Sequence, residues 1–270
     1  MIKDITIGQY FPGSSVIHRL DSRAKLLLDL LYLVILFTAQ SYTGLLAGML
    51  FMVICYILSG IKLIMILRSV KPIVPLMLFT AVLNMLFIKG EAPLLSWWII
   101  EIYPEGIRTA TFMLLRIIAL IVGMSLLTYT TSPIMLTDAL ESLLSPLKKI
   151  RFPVHELSMM MTIALRFIPT LVEETDKIMS AQKARGAELD SGGVMKRAKA
   201  LIPVLIPLFV SAFKRANELA TAMECRCYQG GEGRTRLKTL KTAPRDYIAA
   251  VIMLALLALV ITINFFPVLP

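Results

Sequence analysis

Two arginines carry the chemistry that this sequence offers most plainly. Arg185 stands in Ala184-Arg185-Gly186, and Arg226, 41 residues further on, in Cys225-Arg226-Cys227. Each lies near the end of a long helix-compatible run. A guanidinium flanked by small residues can be approached closely by another surface. It can then pair with a carboxylate in bidentate fashion, which lysine cannot do. An arginine in a last helical turn also complements the helix macrodipole, and Gly186 and Gly230-Gly231 suit helix C-terminal caps. One such motif reads equally well as a helix end. Two, at matching ends of matching segments, point to a two-pronged plug for two related receptor surfaces.

Other chemistry is sparse. His18 and His155 are too far apart for a short metal motif, and neither belongs to an H-E-x-x-H helix. Cys225 and Cys227 offer two thiolates with no nearby third ligand, an incomplete metal site. There is no Walker A glycine-rich loop and no nucleophile–base set, so the expectation is a chain without catalytic residues, metal or bound cofactor of its own. Asp21 suits a helix N-cap. Arg116 falls near the middle of an apolar segment, where its charge is costly in lipid and should face protein, with Asp29 as a possible partner.

The elements that position these residues follow from hydropathy. Of 270 residues, 57% are hydrophobic and only 17% charged, and the mean hydropathy is +0.76. The apolar residues collect in runs long enough to cross a bilayer, which defines an all-α integral membrane protein. The net charge of +10 then reflects lysines and arginines in cytoplasmic loops rather than a nucleic-acid surface. Three cysteines give no disulfide framework. The opening "MIKDITIGQYFPGSS" lacks the apolar stretch of a cleavable signal peptide.

Five crossings are expected, at 26–39, 45–58, 70–88, 107–129 and 248–266. Arg19, Arg23 and Lys25 precede the first, and Lys62, Arg68 and Lys71 lie between the second and third. The links "QSYTG" and "KGEAPLLSWWIIEIYPEG" hold Lys89 alone as a basic residue, and the second carries Trp97, Trp98 and Tyr103. Positive-inside bias therefore puts the N-terminus in the cytoplasm and the C-terminus outside. The expected organisation is a cytoplasmic segment 1–24, four crossings in 25–131, a cytoplasmic region 132–245 and a final crossing in 246–270. Residues 132–245 contain 18 of the 28 lysines and arginines. Within them, "ALIPVLIPLFVSAF" spans ~21 Å as helix, short of a hydrocarbon core. It and the stretch 157–172 are expected to be amphipathic helices lying at the cytoplasmic face; the competing reading has both cross, which would put the basic residues 177–199 outside, against the positive-inside bias.

Both helices change character along their length. "LSMMMTIALRFIPTL" is followed by "VEETDKIMSAQKAR", and "LIPVLIPLFVSAF" by "KRANELATAMECR". Superposing Arg185 on Arg226 places Glu174 on Arg215 and Lys177 on Glu218, a weak duplication with swapped charges. It suits two crossing, antiparallel-like helices. The methionine cluster 159–161 reads either as ordinary core or as a contact surface that must repack against several partners.

The stretch "GQYFPGSSVIHRLDSRAKLLL" resembles the opening signature of the transmembrane T components of energy-coupling factor (ECF) transporters, through Tyr10, Pro12, Gly13, Ser15, His18, Leu20, Asp21, Arg23 and Lys25. Ser22 replaces the proline more usual there. "ALRFIPTLVEE" with "AQKARG" resembles the family's first coupling helix and arginine motif. "IPVLIPLFVSAFKRANELATAMECRCY" resembles the second, with Cys225 and Cys227 in place of small residues. The resemblance covers nearly the whole chain. It implies about five transmembrane helices plus two long cytoplasmic coupling helices. It implies a non-catalytic subunit of a bacterial vitamin or micronutrient importer, which joins a substrate-binding S component to two ABC-type ATPases, a homodimer or a heterodimer. The ATP and Mg would be bound by those ATPases. The ATPase-docking residues would be Ala184, Arg185, Gly186, Cys225, Arg226 and Cys227. Contacts to the S component would come from Met159, Met160, Ile163, Phe167, Pro203, Leu205 and Pro207. The competing reading is a secondary transporter or other permease with an amphipathic cytoplasmic insert. Such a transporter would carry inverted repeats and several intramembrane ionisable residues, whereas the duplication here lies outside the five expected crossings.

Overall fold

A computed structural model describes residues 10–62, 64–90, 95–97, 100–150, 152–187, 193–230 and 240–265. These are helical almost throughout and fall into two compact units, one within 8–139 and 239–270, the other within 140–238.

The first unit is built from α1 (Ser22–Thr38), α2 (Tyr42–Ser59), α3 (Ile64–Val70), α4 (Val74–Phe87), α5 (Pro104–Thr130), the start of α6 (Pro133–Leu144) and α9 (Pro244–Phe265). Sequence punctuation sets the boundaries. Asp21 caps α1, its carboxylate accepting from the backbone N–H of Arg23 at 2.9 Å. Ser41 caps α2, and Gly60 ends it at φ +71°. Pro72 forces a 3-10 turn at Lys71–Ile73 that joins α3 to α4, and Pro104 opens α5 where its missing N–H costs nothing. Between α4 and α5 a short antiparallel pairing, β1 (Leu95–Trp97) with β2 (Ile100–Ile102), sets Trp97 opposite Ile100.

The core of this unit sits between α1, α2, α5 and α9. Tyr32, Ile35, Leu36, Leu45, Tyr56, Tyr129 and Val260 are essentially fully buried in it. Buried phenols find partners, as they must away from water. Tyr56 donates to the Val122 carbonyl at 3.1 Å and lies 2.7 Å from Ser125 Oγ, and Tyr32 donates to the Gly48 carbonyl. At Gly123 a β-carbon would meet the Tyr32 ring at 2.5 Å, so a glycine is what lets α5 approach α1. The opposite faces are apolar and open, as at Phe37, Leu50 and Ile57, where a soluble protein would present charge.

Five helical stretches among the described residues are long and apolar enough to cross a bilayer: Tyr42–Ser59, Ile64–Phe87, Pro104–Thr130, Met195–Cys225 and Pro244–Phe265. Four coincide with expected crossings. The remaining two positions differ from the sequence expectation. α1, at 17 residues, is slightly short by length alone. The stretch Met195–Cys225 qualifies because its helix does not stop where the apolar run stops. It runs through Pro203 and Pro207 and on into a polar half, and it is the least apolar of the five.

The second unit is dominated by α7 (Val154–Ala184, 31 residues) and α8 (Val194–Cys225, 32 residues). α7 also continues through a proline, Pro169.

Candidate docking site at two helix ends

Three side-chain links give the sense in which α7 and α8 cross. Tyr228, just past the end of α8, donates to Met159 Sδ near the start of α7 at 3.2 Å. In the middle, Glu174 accepts from Arg215 Nη2 at 3.1 Å and from the Ser211 hydroxyl. Toward the end of α7, Gln182 Nε2 donates to the Pro203 carbonyl near the start of α8. Partner numbers fall on α8 as they rise on α7, so the helices run antiparallel. The central pair, Glu174 and Arg215, is the pair of residues that the 41-residue shift superposes. The duplication therefore meets itself at the crossing, and the swapped charge makes the contact attractive. The Ser211 hydroxyl, and after it Arg215 and the Lys177 charge, hold the Glu174 carboxyl below its ordinary value against a smaller effect of burial.

The two arginines end the two helices in the same way. Arg185 is the C-cap residue of α7 and Gly186 follows at φ +85°. The Gly186 N–H donates to the Lys183 carbonyl at 3.0 Å and that of Ala187 to the Gln182 carbonyl at 3.0 Å. Arg226 is the C-cap residue of α8 and Cys227 follows at φ +54°. The Cys227 N–H donates to the Glu224 carbonyl at 2.9 Å and that of Tyr228 to the Met223 carbonyl at 3.0 Å. This is the Schellman arrangement twice, with the orphaned last carbonyls satisfied by a left-handed residue immediately after the arginine. The sequence expectation that Gly230-Gly231 cap the second helix is corrected here: Cys227 occupies the left-handed position, and Gly230, at φ +91°, lies beyond the cap. Gly231 lies outside the described residues.

Ala184, Arg185, Gly186, Cys225, Arg226 and Cys227 are all exposed. Each arginine lies 11 residues beyond its crossing residue, Arg185 after Glu174 and Arg226 after Arg215. At 1.5 Å per residue each arm is ~16 Å long, and the antiparallel sense sends the arms to opposite ends of the pair.

The residues expected to meet a membrane partner divide by exposure. Met159, Ile163 and Phe167 are half-buried along one face of α7, while Met160, Pro203, Leu205 and Pro207 are exposed. Leu205 belongs to a larger apolar surface that sequence reasoning passed over. With Ile206, Phe209, Val210 and Phe213 it lines an open groove on α8 that gives way to Lys214, Asn217 and Glu218. The signal was present as apolar residues at helical spacing, yet exposure was not legible before the partner helix was known.

The N-terminal signature is structural. His18 bonds to Ser15 Oγ at 2.7 Å and to the Phe11 carbonyl at 3.0 Å. Gly13 packs on its ring so closely that a β-carbon would come within 2.7 Å. Burial, and the charge of Lys25, hold the His18 imidazole below its ordinary value despite the Phe11 carbonyl. Lys25 Nζ donates to the carbonyls of His18 and Thr130, at 3.2 and 2.9 Å. The Asp21 N–H donates to Asp246 Oδ1 at 2.9 Å. The start of α1 is thus locked to the end of α5 and the start of α9. Arg116 faces protein as expected, but its partner is not Asp29. Its Nη2 donates to the Ala39 carbonyl at the end of α1, and its guanidinium stacks on Phe112 at 4.6 Å. Among the described residues no group of three or more metal-ligating side chains comes together.

An all-α, multi-pass membrane protein with two long antiparallel helices, each closed by an exposed arginine, is the class that this geometry defines. The profile of the cobalt transport protein family, CbiQ, matches residues 13–237. Similar proteins named energy-coupling factor transporter transmembrane protein EcfT occur in Clostridium kluyveri (55% identical, covering 96% of each chain) and Ruminiclostridium cellulolyticum (51%, covering 98% of this chain and 99% of the relative). Another, in Lactococcus lactis subsp. cremoris, is 44% identical over 96% of this chain and 98% of its own. The chain belongs to this family of energy-coupling factor transporter transmembrane components.

Proposed function

We propose that this chain is the coupling subunit of an ATP-driven importer of the bacterial cytoplasmic membrane. It joins two cytoplasmic ABC-type ATPases, which bind ATP and Mg, to a substrate-binding S component for a vitamin or other micronutrient. The chain itself performs no catalysis. The observation that carries this reading is the pair of equal arms. Two exposed arginines with the same cap, equidistant from one crossing, suit two equivalent receptors better than one.

Arg185 and Arg226 each dock in one ATPase, in charge-assisted hydrogen bonds to acidic or carbonyl groups, with Ala184, Gly186, Cys225 and Cys227 allowing close approach. The S component packs on the apolar halves of α7 and α8, through Met159, Met160, Ile163, Phe167, Pro203, Leu205 and Pro207. In this reading the crossings are α1, α2, α3–α4, α5 and α9, while α7 and α8 lie at the cytoplasmic face. The N-terminus is inside and the C-terminus outside.

Loss of one partner of a buried charged pair costs about 2–5 kcal/mol. Arg185→Ala and Arg226→Ala should each reduce ATP-driven uptake, and the double variant should lose both ATPases in co-purification. Arg→Lys should rescue only in part, because lysine keeps the charge without the planar fork. Normal uptake and normal co-purification by the double alanine variant would reduce both arginines to helix caps.

A further inference from the structure

Asp29 has no assigned role in docking or in the core, and it stands in an unusual place. It lines a cavity of about 460 Å³ in the first unit, between α1, α2, α5 and α9, at the end where α1 and α9 begin and α5 finishes. The walls are apolar, with Leu28, Phe51, Leu126, Ile252 and Met253 among them. Among the described residues no hydrogen bond or ion pair reaches the Asp29 carboxyl. A carboxyl within an apolar segment is expensive unless it serves a partner.

The same cavity is lined by two cations. Lys25 lies one helical turn before Asp29, ~6 Å along the axis. Its buried ammonium donates to the carbonyls of His18 and Thr130. Of the three N–H groups of a lysine, one therefore remains. Arg245, exposed at the start of α9, stands at the same end of the cavity. At the helix end the lining thus carries Lys25 and Arg245 beside the apolar Val16, Ile17 and Leu20, with Asp29 one turn further in and the apolar wall beyond it. A ligand that matches this order carries an anion, a hydrogen-bonding cation about one helical turn away, and a long apolar tail.

We propose that the cavity holds an ethanolamine phospholipid, its phosphate on Lys25 and Arg245, its ammonium on Asp29, and one acyl chain along Leu28, Phe51 and Ile252. The charge order distinguishes the headgroup. An anionic lipid without an amine would leave Asp29 unpaired. A choline lipid carries a quaternary ammonium with no N–H to donate.

The test is native mass spectrometry of the full chain released from nanodiscs of equal palmitoyl-oleoyl phosphatidylethanolamine and phosphatidylcholine. The ethanolamine adduct should exceed the choline adduct about tenfold, the difference that one charge-assisted hydrogen bond makes. Asp29→Asn, nearly isosteric, should bring the ratio close to one, and Arg245→Gln should weaken both adducts. Added phosphatidylethanolamine should raise the melting temperature of the detergent-solubilised wild type more than phosphatidylcholine does, and the two lipids should raise that of Asp29→Asn equally. Equal adducts in the wild type would overturn the proposal without recourse to any variant, as would an undiminished ethanolamine preference in Asp29→Asn. A cavity that retains no lipid, as one filled by a helix of a partner protein would be, overturns it as well.

Discussion

Arg185 and Arg226 are presented by the residue that follows each of them, and there the two motifs differ. Gly186 takes its left-handed backbone without strain, and a β-carbon at that position would touch nothing within 4 Å. Cys227 takes the same conformation with a side chain, the one positive-φ residue other than glycine among those described. The steric cost of that is about 1 kcal/mol. Cys227→Gly should therefore stabilise the last turn of α8 by about 1 kcal/mol, seen as slower amide exchange at Tyr228, whose N–H closes the cap. Gly186→Ala should weaken the end of α7 by a similar amount, through the backbone alone. Equal exchange in both variants and the wild type would mean that the caps do not hold the ends. At the other end of the chain, Gly13→Ala must displace the His18 ring from its bonds to Ser15 and Phe11. Overpacking of this kind costs about 1–3 kcal/mol, to be read as a lowered melting temperature in detergent.

Among the elements, the α7–α8 pair depends on a contact that charge pattern alone could not place. The sequence shows Glu174 and Arg215 as superposable residues of opposite sign, but that two copies of a motif touch each other at this pair is a fact of helix packing. Register between helices is set by side-chain shape along whole faces, which no local signal records. Glu174→Arg and Arg215→Glu should each lower ATP-driven uptake, by placing like charges at the crossing. The double swap should recover most of it. No recovery would mean that the crossing is held by its apolar contacts and that the ion pair is incidental. Other elements were legible from local signals. Asp21 marks the start of α1 in the sequence, because its side chain decides the cap there. The strand pairing of Leu95–Trp97 with Ile100–Ile102 was hidden in a link marked in the sequence only by its aromatic residues. The continuity of α8 through Pro203 and Pro207 was hidden as well, because each proline removes a local bond while the rest of a long helix supports it.

For the whole molecule, hydropathy and charge made the class legible and left the number of crossings to the helices. α8 is long and apolar enough to cross, whereas the excess of basic residues around it argues for one face. With cysteines at 55, 225 and 227 removed, single cysteines introduced at Gly193 and Gln229 flank α8. Both should resist an impermeant thiol reagent in intact cells and react after permeabilisation. Labelling of one site from outside would make α8 a crossing helix and would reverse the side assigned to one of the two arginines. The partner of Arg116 belongs to this scale too. The sequence offered Asp29 as the only acid nearby in hydropathy terms, and the fold supplied the Ala39 carbonyl at a helix end, an acceptor that every helix C-terminus leaves open.

The equal spacing of the arginines from Glu174 and Arg215 makes the helix pair a balanced lever. With the fulcrum at the crossing and an arm of ~16 Å on each side, a rotation of one degree moves either tip by about 0.3 Å. In the docking proposed above, neither ATPase would have mechanical advantage over the other. A symmetric approach of the two receptors therefore exerts no net push on the crossing and appears wholly as a change in the angle between the helices. A displacement of only one receptor would shift the crossing sideways as well, so synchronous and sequential closure would leave different signatures in the same pair of helices.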